Sequence, residues 1–292
     1  MKMHNKIVAT LVMLLVGAPA QGWSESLRQE IAQARSRAPE AFARVEALRA
    51  QIVAHPPAWE RRANVSRAMK ALGPDALMPL VALLSDGAQL QGAPAGVQTM
   101  LRVGALEAIG ALRDRRAAPV LRQILDGNER NAPVDRAAAE ALGMLADDDS
   151  IAYLAAQAVA GDARERAAIA GLGFARRAPA VVALRARLDS GPSESLVEPL
   201  AEAMGWLGSS WAWQALGPTR ADEGLALRDE LSASLVRAYP LHRGHAREAI
   251  ARALLMIDHP STPNRLAQLH GGADQTLLAD LQSLEHRWLR VR

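Results

Sequence analysis

The sequence predicts an all-α protein, a solenoid of stacked helical hairpins, on three observations. Half of the 292 residues are apolar, yet only 3% are aromatic, so Ala and Leu fill the apolar share. β-Rich folds lean on Val, Ile, Tyr and Phe, whereas this composition suits helices packed closely through small residues. Glycines recur at 73, 110, 143, 173 and 205, in steps of 37, 33, 30 and 32, each near the end of an Ala/Leu stripe at helical spacing. A short polar turn follows each stripe, and in three copies a proline (Pro79, Pro119, Pro179) then suits the first turn of a second helix, where its missing N–H is harmless.

The elements follow in chain order. Lys2, His4 and Lys6 form a basic start, and Ile7 to Val16 is apolar except for Thr10. That run is too short for a span of ~20 residues. With Ala18-Pro19-Ala20 it predicts a secretory signal over 1–20, cleaved after Ala20, with an uncleaved anchor as the alternative. Cleavage leaves 32 cations against 31 anions, so the formal charge falls from +3 to about +1 and nucleic-acid binding is not expected. Residues 21–57 are expected to cap the solenoid with two helices broken at Pro39 and ended by His55-Pro56-Pro57.

Repeats are expected over 58–220. The copies are Met69-Lys70-Ala71-Leu72-Gly73, Ala105-Leu106-Glu107-Ala108-Ile109-Gly110, Ala138-Ala139-Glu140-Ala141-Leu142-Gly143, Ala168-Ile169-Ala170-Gly171-Leu172-Gly173 and Ala201-Glu202-Ala203-Met204-Gly205. Each glycine is expected to admit the neighbouring helix and to sit in a left-handed cap. Gln89 to Gln98 reads as a loop, and Trp211 to Leu216 as the second helix of the last copy. Residues 221–292 are expected to hold a degenerate repeat and capping helices, with a hairpin around Pro240. A hairpin of ~30 residues cannot bury its own apolar face, so the copies must stack.

The Ala-x-x-Ala-Leu/Ile-Gly runs and Pro-x-Leu starts resemble the short HEAT-like repeats of the phycobilisome-lyase type. In that family such repeats serve chromophore lyases, enzyme regulators and protein-binding scaffolds. Bilin-lyase activity is not carried over, because an exported protein would not meet that substrate.

Zero cysteines exclude disulfides, a thiol nucleophile, a lipoprotein anchor and Cys-based metal sites, and suit an oxidising compartment. His242-x-x-His245-x-x-Glu248 has ligand-like spacing, but Pro240 puts His242 ahead of the helix, so no metal site is assigned. Asp147-Asp148-Asp149 lacks the alternating spacing of a calcium loop and reads as an acidic helix start. Ser209-Ser210 lacks a nucleophile elbow, and no phosphate loop occurs. No catalytic residue and no cofactor are therefore assigned.

The expected function is a non-catalytic scaffold or adaptor, periplasmic or secreted, binding another protein or peptide without stable membrane insertion after cleavage. The alternative is an enzyme or lyase-like protein acting on a small molecule or cofactor. The expected contact surface is a concave ladder of second-helix side chains, Arg122, Gln157 and Arg185, extended by Trp211 and Trp213.

Overall fold

The computed structural model describes residues 24–85, 90, 92–127, 130–161 and 163–291. The expected signal sequence lies outside them. The described residues are helical throughout and form no strand. Two capping helices come first, α1 (Glu25–Arg37) and α2 (Pro39–Ala54). Ser24 accepts the Leu27 N–H at 3.3 Å to cap α1, and Pro39 opens α2 at the position where proline is harmless.

Hairpins follow. They pair α3 (Arg62–Lys70) with α4 (Leu77–Ser85), α5 (Ala95–Leu112) with α6 (Ala118–Asp126), and α7 (Ala132–Leu145) with α8 (Asp148–Gln157). The next pairs α9 (Ala163–Leu172) with α10 (Ala178–Asp189). Helix α5 starts at Ala95, so the end of the expected loop is the first turn of a helix entered through Pro94. Asn131 caps α7 and Asp147 caps α8, each side chain accepting a backbone N–H three residues on. Burial pushes the Asp147 carboxyl up, but the amide and hydroxyl of Ser150 outweigh it and hold it below its ordinary range. The acidic run is thus a helix start, as its spacing implied.

The fifth unit departs from the expected plan. Its first helix is α11 (Glu194–Leu207), but the Trp211 segment is only the short α12 (Ser210–Gln214). The second-helix place beside α10 belongs instead to α13 (Ala221–Ala238), where Ser234 donates to Asp189 at 3.4 Å. Gly217 and Pro218 stop the short helix before it can extend. Helices α14 (Gly244–Ile257) and α15 (Thr262–Ala267) form a sixth unit, and α16 (Gln275–Val291) closes the end. Arg247, itself buried, ties α14 to α16 through Asp280 at 2.6 Å.

First helices stack on first helices, and glycine sets the distance. A Cβ on Gly143 would stand 1.9 Å from the Gly171 carbonyl oxygen, and one on Gly110 would stand 2.8 Å from Ala141 Cα. Only a residue without a side chain permits backbones this close. Gly73 holds the expected positive φ of 78°, but beyond Gly110, Gly143 and Gly173 the left-handed caps lie elsewhere. They are Arg113, Ala146 and Arg176 (φ 54°, 55° and 45°), each three residues beyond a marker glycine, and Asp258 (φ 45°) just after α14. The expected double role of the glycines is therefore divided between two positions. Buried Leu, Ile, Val and Ala run unbroken between the two helical layers from Val45 to Trp288. No single described helix is long and apolar enough to cross a membrane.

Candidate protein-binding surface

Spacing decides which layer lines the inside of the solenoid. First helices touch backbone to backbone, whereas second helices meet through side chains, as in Tyr153 to Asp126 at 2.7 Å and Arg177 to Asp148 at 3.1 Å. The more tightly spaced layer must lie on the inside of the bend. A contact across two units shows the same curvature: Arg136 of α7 reaches Glu202 of α11 at 2.9 Å, over α9 between them.

Counting from the marker glycines, three rows run across this inner face; Leu255 takes the glycine's place in α14, three residues before left-handed Asp258. Three residues before the marker stand Lys70, Glu107, Glu140, Ala170, Glu202 and Arg252. One turn earlier stand Arg136, Arg166, Glu198 and Glu248. Just after the marker stand Met144, Phe174, Trp206 and Met256. Offsets of four and eight residues place all three rows on one face of their helices.

The charged rows neutralise each other along most of their length. Lys70 pairs with Glu107 at 3.3 Å, Arg136 with Glu140 at 2.7 Å, Arg252 with Glu198 at 3.3 Å, and Glu248 with Arg287 of α16 at 2.9 Å. Burial pushes the Glu140 carboxyl above its ordinary range, and the hydrogen bond from Arg136 pulls it only part of the way back.

The pattern breaks at α9. Ala170 stands where neighbours carry glutamate, and Arg166 has no ion-pair partner among the described residues. The small side chain opens a cleft of about 450 Å³ between α7, α9 and α11. Arg130, Arg136 and Arg166 bring cations to its lining, while Asp135 and Glu202 bring carboxylates. Burial raises the carboxyl of Asp135, which is 6% exposed, and nearby Arg130 opposes that shift. At the far end the rings of Phe174 and Trp206 stack at 6.0 Å and 19°, with Trp206 40% exposed.

The expected contact residues fall on the other layer. Arg122 lies over the Tyr153 ring at 5.4 Å, beside a polar groove that already sets Arg115 and Arg177 against Asp147 and Asp148. Arg185 pairs with Glu230 of α13. Arg122 and Arg185 are true repeat equivalents, each nine residues beyond a left-handed cap, but Ala155, not Gln157, holds that place in α8. Trp213 is 4% exposed; its Nε1 donates to the Leu207 carbonyl at 2.8 Å, so it is core and not an aromatic extension of a surface. Trp211 is 75% exposed. Charged residues three positions before four of the five marker glycines were the available signal for the inner face. His242 precedes α14, as expected, and meets Glu194 at 3.1 Å.

A family model described as HEAT repeats matches residues 97–173. This span runs from α5 into the turn after α9, and the recurring hairpins around it share its plan. The molecule is an α-solenoid built of HEAT-like repeats. Among solved structures, human deoxyhypusine hydroxylase in complex with glycerol aligns over 87% of this chain and 98% of its own, at 14% identity and a TM-score of 0.33. Likeness at that level transfers no activity. No curated protein matches the sequence.

Proposed function

We propose that this chain is a non-catalytic scaffold, periplasmic or secreted, that engages a partner protein through the inner face of its first-helix layer. The observation that supports this most is the juxtaposition of Arg166, which has no ion-pair partner among the described residues, with the stacked Phe174 and Trp206 in one open cleft. Arginine and tryptophan are over-represented where binding energy concentrates. The long charged rows on either side give a partner an extended, mostly pre-paired surface to lie on.

A photo-crosslinking residue at Ala111 or Glu198, both exposed on the inner face, should capture a discrete partner in cells that make the protein. The same residue at exposed Val182 on the second-helix face should capture none. Equal capture from Val182 would remove the inner face from the proposal. The second reading, a protein acting on a small molecule, draws on the cleft volume and the raised carboxyl of Asp135. A small metabolite that co-purifies with the chain and shifts its melting would favour that reading.

A further inference from the structure

Building on that scaffold reading, we propose that the cleft receives an extended segment of the partner carrying a carboxylate three or four residues from an aromatic or large aliphatic side chain.

The argument rests on the spacing of two unlike ends. Arg166, Ala170 and Phe174 follow one another at four-residue intervals, so they form a single stripe along α9 and the turn that follows it. At a rise of 1.5 Å per residue, the guanidinium end and the ring end are roughly 12 Å apart. An extended chain advances about 3.3 Å per residue, so three or four residues cover that distance. Ala170 and the neighbouring Ala167 and Ala203 leave the floor between the two ends low and apolar.

Charge decides what fills the basic end. The inner-face cations Lys70, Arg136 and Arg252 are each held by a glutamate, and Arg166 has no such partner among the described residues. A carboxylate from the partner supplies what the neighbouring repeats supply internally, and such charge-assisted pairing is about twice as strong as a neutral hydrogen bond. At the other end, Met144 and Met256 continue the row of Phe174 and Trp206 on either side. Thioether and ring together accept varied apolar shapes, so the anchor is defined by bulk and not by one residue type. A peptide fits better than an isolated small molecule, because the basic and aromatic ends stand roughly 12 Å apart along α9 with an apolar floor between them.

The test selects random linear peptides on the immobilised full chain, in parent, Arg166→Glu and Trp206→Ala forms, each checked for native helicity by circular dichroism. The parent should enrich peptides with Asp or Glu three or four positions from Phe, Trp, Tyr, Leu or Met. A synthetic copy should bind roughly tenfold more weakly to each variant. Arg166→Glu should itself select Lys or Arg at the acidic position, a change of preference that general damage to the fold cannot produce. Enrichment without an acidic position, or the same preference in the parent and in Arg166→Glu, overturns the inference. If peptides bind but respond only to Arg122→Ala with Arg185→Ala, the cleft is overturned while the scaffold reading stands. If no peptide is enriched although Ala111 or Glu198 crosslinks a partner, the segment is overturned and the inner face stands.

Discussion

Arg136 on α7 and Glu202 on α11 meet at 2.9 Å across the intervening helix α9, which joins two units that share no sequence proximity. The same guanidinium holds Glu140 at 2.7 Å, so one cation serves two carboxylates. Its side chain is half exposed, which keeps the contribution to stability small. Arg136→Ala should lower stability by no more than about 1 kcal/mol. Its clear effect should be on Glu140, whose carboxyl burial already pushes up and which loses its main opposing partner. Carboxyl carbon NMR should show Glu140 titrating at higher pH in the variant. An unchanged titration would mean the bridge does not form in solution.

Glycine packing gives a second prediction with an internal control. A methyl group on Gly143 would overlap the Gly171 carbonyl, and backbone cannot move aside as a side chain can. Gly143→Ala should destabilise the fold by at least about 2 kcal/mol. Gly96, exposed in the first turn of α5 with nothing near its Cβ position, should gain up to roughly 0.5 kcal/mol on the same change. Urea unfolding of the two variants measures both signs.

How much of this was legible in the sequence depends on the distance over which each feature is determined. The hairpin plan was readable because it repeats, and Gly110, Gly143, Gly173 and Gly205 announce it within local windows. The left-handed caps were misplaced onto those glycines because glycine is the usual occupant, whereas here Arg113, Ala146 and Arg176 accept the strain. The Trp211 segment matched a second helix in composition, and only the competition from α13 for the place beside α10 shows that it is not one. Curvature was not legible at all. It follows from the difference in spacing between the two layers, which a single-chain pattern does not display. The inner-face charges Glu107, Glu140 and Glu202 stood within the repeat strings themselves, but helix exteriors are commonly charged and nothing local marks them as facing one another.

The misplaced caps carry their own prediction. Ala146 holds φ 55° and ψ 24°, a conformation that costs an L-residue roughly 1–2 kcal/mol. Glycine there removes the strain but adds freedom to the unfolded chain, so Ala146→Gly should raise stability by about 0.5–1 kcal/mol. The Arg177 guanidinium donates to the Ala146 carbonyl at 3.2 Å, and this bond survives the change. A lower melting temperature in Ala146→Gly would show that the Ala146 methyl makes packing contacts worth more than the strain.

The C-terminal units should be sensitive to acid. His259 is buried at the start of the turn before α15, and its Nδ1 lies 2.8 Å from Ser261 Oγ and 3.1 Å from Asp229. Burial lowers its basicity below the ordinary 6.5, and the Asp229 carboxylate only partly restores it. A base with a depressed folded value takes up its proton more readily when unfolded, so its contribution falls as pH drops through about 6.5. Asp229 adds to the loss at lower pH. The hydrogen bond from Arg265 at 2.9 Å holds its carboxyl low, so stability present at neutral pH is lost as that group protonates. Melting followed from pH 7.5 to 5 should fall less steeply in His259→Gln than in the parent. Parallel slopes would exclude His259 as the cause.

Two tryptophans seven residues apart should separate binding from folding. Trp213 is enclosed: its indole N–H reaches the Leu207 carbonyl, Arg220 lies over the ring at 5.0 Å, and a Cβ on Gly224 would stand 2.6 Å from it. Trp213→Ala removes a filled volume and leaves that carbonyl without its partner, a loss of about 3–5 kcal/mol. Trp206 shows much of its surface to solvent and shares one face with Phe174. Trp206→Ala should cost less, on the order of 1.5–3 kcal/mol of folding stability, from the buried part of its ring and the stack on Phe174. Partner capture through the inner face should respond in the opposite order, falling sharply in Trp206→Ala. In Trp213→Ala it should persist at temperatures where that variant remains folded. Capture that survives Trp206→Ala undiminished would leave the stacked pair a packing feature, and the anchor would then have to be sought at the exposed ring of Trp211.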